Sequence, residues 1–368
     1  MIRRFYVHNF RCLENFELPL AGRSSTLLIG NNGSGKSTIS AALWILQRIA
    51  RGTSLLTELL DPLDLSRGRS DVPMRFEIEV ELEGRIYAYM IAIELAKKLG
   101  ELRVREEKLA VDGVPIYSRE STNVRVSDSS GGEDVSIIID FHLVALPGVP
   151  LLREGAPLSV IKQWLTRMLI LRPVPSLIFG DARETLISTP DLADFAQLFW
   201  GLFNHAPSAY GKSIEYLREV MPDLKDIQNR ELGRDYRGLV VQFSNDHGSL
   251  SVPLGDLSDG EKCFMIGAMV LAMNDTIGPI FCFWDEPDNY LAISEVGHFV
   301  MALRKAFQKG GQFVATSHNP EAIRCFSDEN TLLLYRRSHL EPTQVRPLSE
   351  IQVNGDLIGA LIRGDVEP

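Results

Sequence analysis

The stretch Gly30-Asn31-Asn32-Gly33-Ser34-Gly35-Lys36-Ser37 constrains this chain more than any other, because it fits G-x-x-x-x-G-K-[ST] and separates two different periodicities. The apolar run Ser25-Thr26-Leu27-Leu28-Ile29 precedes it, and Thr38 to Leu46 has the spacing of a helix. Strand, glycine loop and helix thus occur in the order that phosphate binding requires. Glycines let the backbone approach an anion, and the amides at a helix N-terminus direct partial positive charge toward it. An ordinary Gly/Ser turn has no reason to carry a lysine and a hydroxyl at these offsets. In such a loop Asn31, Asn32, Gly33, Ser34, Gly35 and Thr38 wrap the phosphates of a nucleotide. Lys36 reaches the β- and γ-phosphates, and Ser37 offers its hydroxyl to Mg²⁺.

Composition excludes several classes. With 368 residues, 45% hydrophobic and 23% charged, the chain can bury a large core and is not a disordered polymer. No apolar run reaches the roughly 18 to 20 residues that cross a bilayer, and Met1 to His8 lacks the apolar centre of a signal peptide, so a cytoplasmic protein without membrane contact is expected. Cys12, Cys263, Cys282 and Cys325 are scattered, with no C-x-x-C pair, and indicate neither a zinc site nor a disulfide framework. The net charge of −10 argues against coating nucleic acid by bulk electrostatics, but leaves room for a local basic groove.

Patterning predicts strands over Ile2 to Phe10 and Phe16 to Leu20 ahead of the phosphate-loop strand. In Arg75 to Leu82 the residues Phe76, Ile78, Val80 and Leu82 share one face; Glu83-Gly84 then turns into Arg85 to Ile93, giving an antiparallel hairpin. Further strand-like pieces occur around Leu102 to Val111. Ser118 to Asp134, rich in Ser, Gly and Asp, reads as a mobile loop. Helices are expected over Ser159 to Met168, Asp191 to Phe203 and Ser213 to Val220, with prolines as punctuation, and strands over Gly238 to Phe243 and Ser249 to Val252. This divides the chain into 1–95, carrying the phosphate loop and a β lobe, an inserted β/helical region over 96–237, and 238–368, carrying the remaining chemistry.

Three later motifs supply that chemistry. Ile280 to Trp284 is an apolar strand ending in Asp285-Glu286; beside a phosphate loop the first acid suits Mg²⁺ and the second suits a base for the attacking water. Leu257-Ser258-Asp259-Gly260-Glu261-Lys262 opens a helix through Met273. Taken alone, Ser258 with Glu261 is a capping box, yet Ser258 and Gly260 also make a second anion-binding helix start. Gly311 to Pro320 is a strand ending in His318.

These residues resemble those of the ABC-type ATPases, whose signature is written L-S-G-G-Q or, in the chromosome-associated branch, L-S-x-G-E-[KR]. With Val7-His8-Asn9-Phe10-Arg11-Cys12-Leu13, Asp-Glu-Pro and Ser-His-Asn-Pro, the set is similar to the RecF, SMC and OLD-nuclease group of AAA-type ATPases, found in bacterial DNA repair and anti-phage defence. The resemblance covers the opening of the chain and its last third; Glu94 to Arg237 matches nothing specific. It implies an α/β P-loop NTPase fold: an ABC-ATPase head with a mixed central sheet, an antiparallel β lobe and an α-helical insertion. It further implies ATP and Mg²⁺ as cofactors, and catalysis by Lys36, Glu286 and His318. Ser37 and Asp285 would serve the metal, and Ser258 and Gly260 would act in trans on the nucleotide of a second copy. Asp288 would couple the two sites. No glutamine loop is evident, although Gln163 is available. Coiled-coil arms are absent, and the segment after His318 is too short for the nuclease domain of OLD proteins, so a nuclease or other effector is expected on a separate chain.

The leading expectation is therefore an ATP-hydrolysing homodimer or higher homo-oligomer that controls DNA or an effector protein. The alternatives are a clamp or scaffold in which ATP binding is the signal, and, less favoured, a membrane-transporter ATPase or a phosphotransferase. Arg3, Arg4, Arg11, Arg103, Arg105, Lys108 and Arg119 are the candidates for a DNA-facing surface.

Overall fold

A computed structural model describes residues 1–96, 99–127, 134–149, 156–180, 189–233, 236–351 and 359–360. In chain order the elements are β1 (Ile2–His8), β2 (Phe16–Leu18), β3 (Ser25–Ile29), α1 (Lys36–Ala50), α2 (Leu56–Leu59), β4 (Met74–Leu82), β5 (Arg85–Ala96), β6 (Glu101–Val111), β7 (Val114–Glu120), β8 (Asn123–Val126) and β9 (Val135–Ile138). Then come α3 (Pro157–Arg167), β10 (Leu169–Leu171), α4 (Phe195–His205), α5 (Pro207–Val220), β11 (Leu224–Gly233), β12 (Tyr236–Asn245) and β13 (Gly248–Pro253). The last are α6 (Asp259–Thr276), β14 (Phe281–Trp284), α7 (Ile293–Gln308), β15 (Gln312–Thr316), α8 (Pro320–Arg324), β16 (Thr331–Tyr335) and β17 (Gln344–Pro347).

The strands make three sheets. A six-stranded sheet in the order β10-β14-β15-β3-β16-β17 is parallel except at β17, and an eight-stranded antiparallel sheet runs β2-β1-β4-β5-β6-β7-β8-β9. A smaller antiparallel sheet joins β11, β12 and β13. Every residue of β3, β14 and β15 is buried, as expected of parallel strands covered on both faces. Side-chain alternation then sorts the two cores: Phe281 and Phe283 pack with α1, α3 and the antiparallel sheet, whereas Cys282 and Trp284 pack with α4 to α7. β4 keeps the expected alternation, and Glu83 and Gly84 both take positive φ in its turn, at 52° and 75°.

Strand pairing runs straight through residue 96. β6 to β9 extend the sheet begun by β1, β4 and β5, while Leu169, Ile170 and Leu171 pair with Cys282, Phe283 and Trp284, so the middle of the chain supplies the edge of the parallel sheet. The segment expected as a loop from Ser118 is a strand end followed by β8, because Tyr117 and Val126 are paired and buried together with Val124; residues 128–133 of it lie outside the described ones. The three expected helices form with shifted ends. α5 starts earlier than its apolar spacing suggests, since Pro207 fits the first helical turn, and α4 starts later, after Leu192 takes a left-handed φ of 55°. No helix among the described residues is long and apolar enough to cross a membrane.

Gln312, at the start of β15, joins the two large sheets. Its Oε1 accepts from the Ile2 amide at 2.8 Å, and its Nε2 donates to the carbonyls of Ile2, Leu20 and Arg23 at 3.3, 3.0 and 3.1 Å. All this is buried. Replacing Gln312 by Leu leaves those backbone groups without partners and is expected to cost about 3 kcal/mol of stability. Urea denaturation checks this, and a loss below about 1 kcal/mol removes the joining role from Gln312.

Candidate functional site

The loop between β3 and α1 is held open by backbone that only glycine adopts easily. Gly30, Gly33 and Gly35 have φ of 147°, 78° and 106°. A Cβ on Gly30 would meet the Leu334 carbonyl oxygen at 2.1 Å, and one on Gly35 would meet Thr343 Oγ1 at 2.7 Å. Among the described residues no side chain caps α1, so its first amides face whatever sits in the loop. Such a cradle of glycines and uncapped amides fits the phosphates of a nucleotide. The connection between β16 and β17 braces it from outside: Arg336 Nη1 donates to Gly33 O at 3.2 Å and Thr343 Oγ1 donates to Ser34 O at 2.9 Å.

Parallel pairing of β14, β15 and β3 brings the C-terminal ends of these strands to the same edge as the loop, where open α/β sheets bind ligands. Asp285 accepts there from Ser37 Oγ at 3.1 Å through one oxygen and from Thr316 Oγ1 at 2.6 Å through the other. Thr316 Oγ1 also accepts from the amide of Glu286 at 2.9 Å. One threonine thus positions both acids. Glu286 takes a left-handed φ of 53°, uncommon for a residue with a side chain, and its carboxylate accepts from Asn289 Nδ2 at 2.6 Å and lies 3.8 Å from His318 Nε2.

Lys36 is 7% exposed and donates to Gly30 O at 2.6 Å and Asn31 O at 3.4 Å. Burial lowers its pKa, while Glu286 and Asp285 act the other way. His318 is also lowered, by burial first and then by the charge of Lys36, so it is neutral at physiological pH. Asp288 is buried, and burial raises its pKa against a 2.9 Å hydrogen bond from Ser317.

A cavity of about 560 Å³ is lined by Asn32 to Thr38, Glu286 and His318, together with Arg11, Cys12, Leu63 and Arg67. Among the described residues no cluster of three His, Cys, Asp or Glu could cage a metal. A hydroxyl and a carboxylate at Ser37 and Asp285 instead suit Mg²⁺, which keeps water and takes phosphate oxygens as further ligands.

Lys36, Ser37, Asp285, Glu286 and His318 are thus brought together, whereas Ser258 and Gly260 do not line this cavity. They form the expected capping box at α6, with Ser258 donating to Glu261 Oε2 at 2.7 Å, and Gly260 sits so close to the Tyr290 carbonyl that a Cβ would approach it to 3.1 Å. Lys262 is buried and donates to Pro175 O at 3.2 Å. Gln163 is exposed on α3 and does not line the cavity.

The arginines expected on a DNA-facing surface are largely matched by acids. Arg3 pairs with Glu81 at 3.3 Å, Arg4 with Glu17 at 2.9 Å, Arg11 with Asp64 at 2.8 Å, Arg103 with Glu101 at 3.7 Å and Arg105 with Glu94 at 4.0 Å; Lys108 is exposed. Arg119 is a correction. It is 1% exposed, because it donates to the carbonyls of Ser121 and Asp140 and lies 3.7 Å from the buried Glu107 carboxylate. The sequence reading missed Thr316, Arg336, Thr343 and Arg172, whose Nε is 3.9 Å from Asp285. Only Thr316 carried a signal, as the last residue of the strand before Ser317-His318.

A family model described as "AAA domain, putative AbiEii toxin, Type IV TA system" matches residues 25–324. The chain belongs to this AAA family. The OLD nuclease of Thermus scotoductus is 49% identical over 43 residues, which are 12% of this chain and only 8% of that relative's length. Among solved structures, the Smc head bound to the C-winged helix domain of ScpA gives a TM-score of 0.56 at 14% identity, covering 95% of this chain and 98% of the other. The Smc head with an extended coiled coil, bound to the C-terminal domain of ScpA, derived from Pyrococcus furiosus, gives 0.54 at 13% identity, covering 95% and 97%. These likenesses show the fold of a P-loop ATPase head, and with the family match they bear out the placement in the RecF/SMC/OLD group of ATPases.

Two outcomes follow from the geometry. Thr316→Val removes the hydroxyl that holds both Asp285 and the Glu286 amide, and is expected to lower the ATP turnover rate about tenfold or more while ATP affinity changes less; steady-state kinetics beside equilibrium titration separates the two. His318 must gain a proton on acidification, and its lowered pKa keeps the neutral form dominant down to below the ordinary histidine value. Turnover is therefore expected to be flat from about pH 7 to 8 and to fall on the acid side, with that acid limb altered in His318→Asn.

Proposed function

We propose that the protein hydrolyses ATP with Mg²⁺ as a sandwich of two copies, and that opening and closing of this sandwich controls DNA or a separate effector protein. The convergence of Lys36, Ser37, Asp285, Glu286 and His318 at one sheet edge carries the reading. In it the uncapped amides of α1 and Lys36 bind the triphosphate. Ser37 and Asp285 hold Mg²⁺, which supplies charge neutralisation on the phosphates. Glu286, restrained by Asn289, takes a proton from the attacking water, and neutral His318 orients that water and the γ-phosphate. Most of the rate gain in such a reaction comes from positioning and charge stabilisation, which suits a site whose groups are fixed by the backbone.

Two observations favour a second copy. Ser258 and Gly260 make a preformed helix start outside the cavity, with Ser258 exposed, and Pro287 and Tyr290 link that start to the segment after Glu286. The ScpA domains bound to the two Smc heads support a separate protein partner, and the stretch shared with the OLD nuclease supports a nuclease as one such class. DNA repair and anti-phage defence are the settings proposed for this output.

Glu286→Gln is expected to slow hydrolysis by at least about a hundredfold and to trap an ATP-dependent dimer, read by light scattering after gel filtration. Unchanged turnover would remove Glu286 as the base. Mixing Ser258→Ala and Lys36→Ala chains is expected to restore part of the activity that each lacks, since a mixed dimer keeps one intact composite site. A mixture no better than its components rejects the shared site. A chain that dimerises on ATP with wild-type Glu286 and turns over negligibly would instead be a binding-driven clamp.

A further inference from the structure

The helix start that would face a second copy's nucleotide is acidic. Asp256, Asp259 and Glu261 surround Ser258, and among the described residues none of the three pairs with a basic side chain. Their one basic neighbour in sequence, Lys262, is buried and committed to Pro175. Bringing this turn over a bound triphosphate sets like charges against each other, which opposes closure unless cations stand nearby.

Cations do stand at the rim of the phosphate loop. The tip between β16 and β17 carries Arg336 and Arg337 beside Asn31, Asn32 and His318, around a second cavity of about 400 Å³. Among the described residues Arg336 donates only to the carbonyls of Gly33, His339 and Glu341, at 3.2, 2.7 and 2.9 Å, and no carboxylate there balances its charge. Arg337 is exposed, and among the described residues no carboxylate lies within 4.0 Å of it. Arg3, Arg4, Arg11 and Arg85, by contrast, are matched to acids. Two unmatched arginines beside the loop and three unmatched acids around the helix start are complementary surfaces of the same chain.

We propose that the basic tip at Arg336 and Arg337 of one copy docks on the acidic turn from Asp256 to Glu261 of a second copy, so that closure brings its own counter-charge to the nucleotide. This rests on the two-copy reading above. The pairing is isologous: each copy offers one basic tip and one acidic turn, and a dimer contains the contact twice. Its character is that of rim electrostatics, which fixes register and speeds encounter and weakens with salt.

The test uses full-length Glu286→Gln chains with saturating ATP, and reads the dimer dissociation constant by analytical ultracentrifugation at about 50 mM and about 500 mM salt. Arg337→Glu and Asp259→Lys are each expected to weaken the dimer about tenfold at low salt, with the difference shrinking at high salt. The chain carrying both substitutions regains the opposite charges and is expected to recover most of the loss, which also shows that neither single variant fails merely by unfolding. An ATP-dependent dimer indifferent to Arg337→Glu at both salts, or a double variant as weak as the sum of the singles, overturns the docking while leaving the ATP sandwich intact. Absence of any ATP-dependent dimer in the parent chain overturns both.

Discussion

The Asp285 carboxylate is where the separately coded parts of the site meet. Its two oxygens are taken by Ser37 from the helix after the phosphate loop and by Thr316 from the end of β15. The backbone of the same residue donates to Leu171 of β10 at 2.8 Å. Three segments far apart in sequence are thereby tied at one residue at the sheet edge. This arrangement needs β14 to lie between β10 and β15 and β3 to lie beyond β15, which is the order that these fully buried strands take. A carboxylate side chain 9% exposed tolerates its charge because each oxygen is hydrogen-bonded and Arg172 stands 3.9 Å away. The same features make it a fitting neighbour for a hard cation.

Much of this was legible in the sequence because the chemistry sits in short runs. The phosphate loop, Asp285-Glu286 and Ser317-His318 each combine an apolar strand with polar residues at its end, and the parallel sheet gathers those ends without further instruction. What stayed hidden depends on distant pairing. Nothing local to Arg336 or Thr343 reveals that their partners are carbonyls of Gly33 and Ser34. Arg119 reads as a surface cation in the sequence because it falls at the start of the Ser-, Gly- and Asp-rich stretch from Ser118. It is enclosed because β8 pairs beyond it, the turn around Ile139 to Leu143 supplies carbonyls to both terminal guanidinium nitrogens, and Ser121 O accepts from Nε. Its partner Glu107 accepts from Tyr89 at 3.0 Å, Tyr117 at 2.8 Å and the amides of Ala145 and Leu146 at 2.7 and 2.9 Å, so the antiparallel lobe has a polar centre that hydropathy cannot announce.

The glycines of the phosphate loop carry two constraints at once. Positive φ shapes the loop, and the absent Cβ admits Leu334 and Thr343 from the last hairpin of the sheet. Gly30 and Gly35 are thus where the C-terminal β16–β17 hairpin fits against the N-terminal loop, and the brace from Arg336 fixes the peptide planes from outside. A loop that must present its amides in one direction gains from such external support, because ordering it at the moment of binding would cost conformational entropy that reduces affinity.

Glu286 and the residues after it are restrained from two directions. The left-handed φ of Glu286 is held by the Thr316 hydroxyl on its amide and by Asn289 on its carboxylate. Further along, Pro287 O accepts from Cys263 Sγ at 3.2 Å and Tyr290 O lies against Gly260, both on the first turns of α6. Asp288 is fixed to Ser317, next to His318. A non-glycine residue in this conformation costs about 1 kcal/mol or more, so the surrounding bonds must outweigh a preference to relax. Relaxation at Glu286 would swing the 287–291 segment that connects its carboxylate to the capped start of α6. The strain at Glu286 and the shared segment together tie the position of its carboxylate to the position of the α6 turn, which is the coupling that the proposed two-copy site requires.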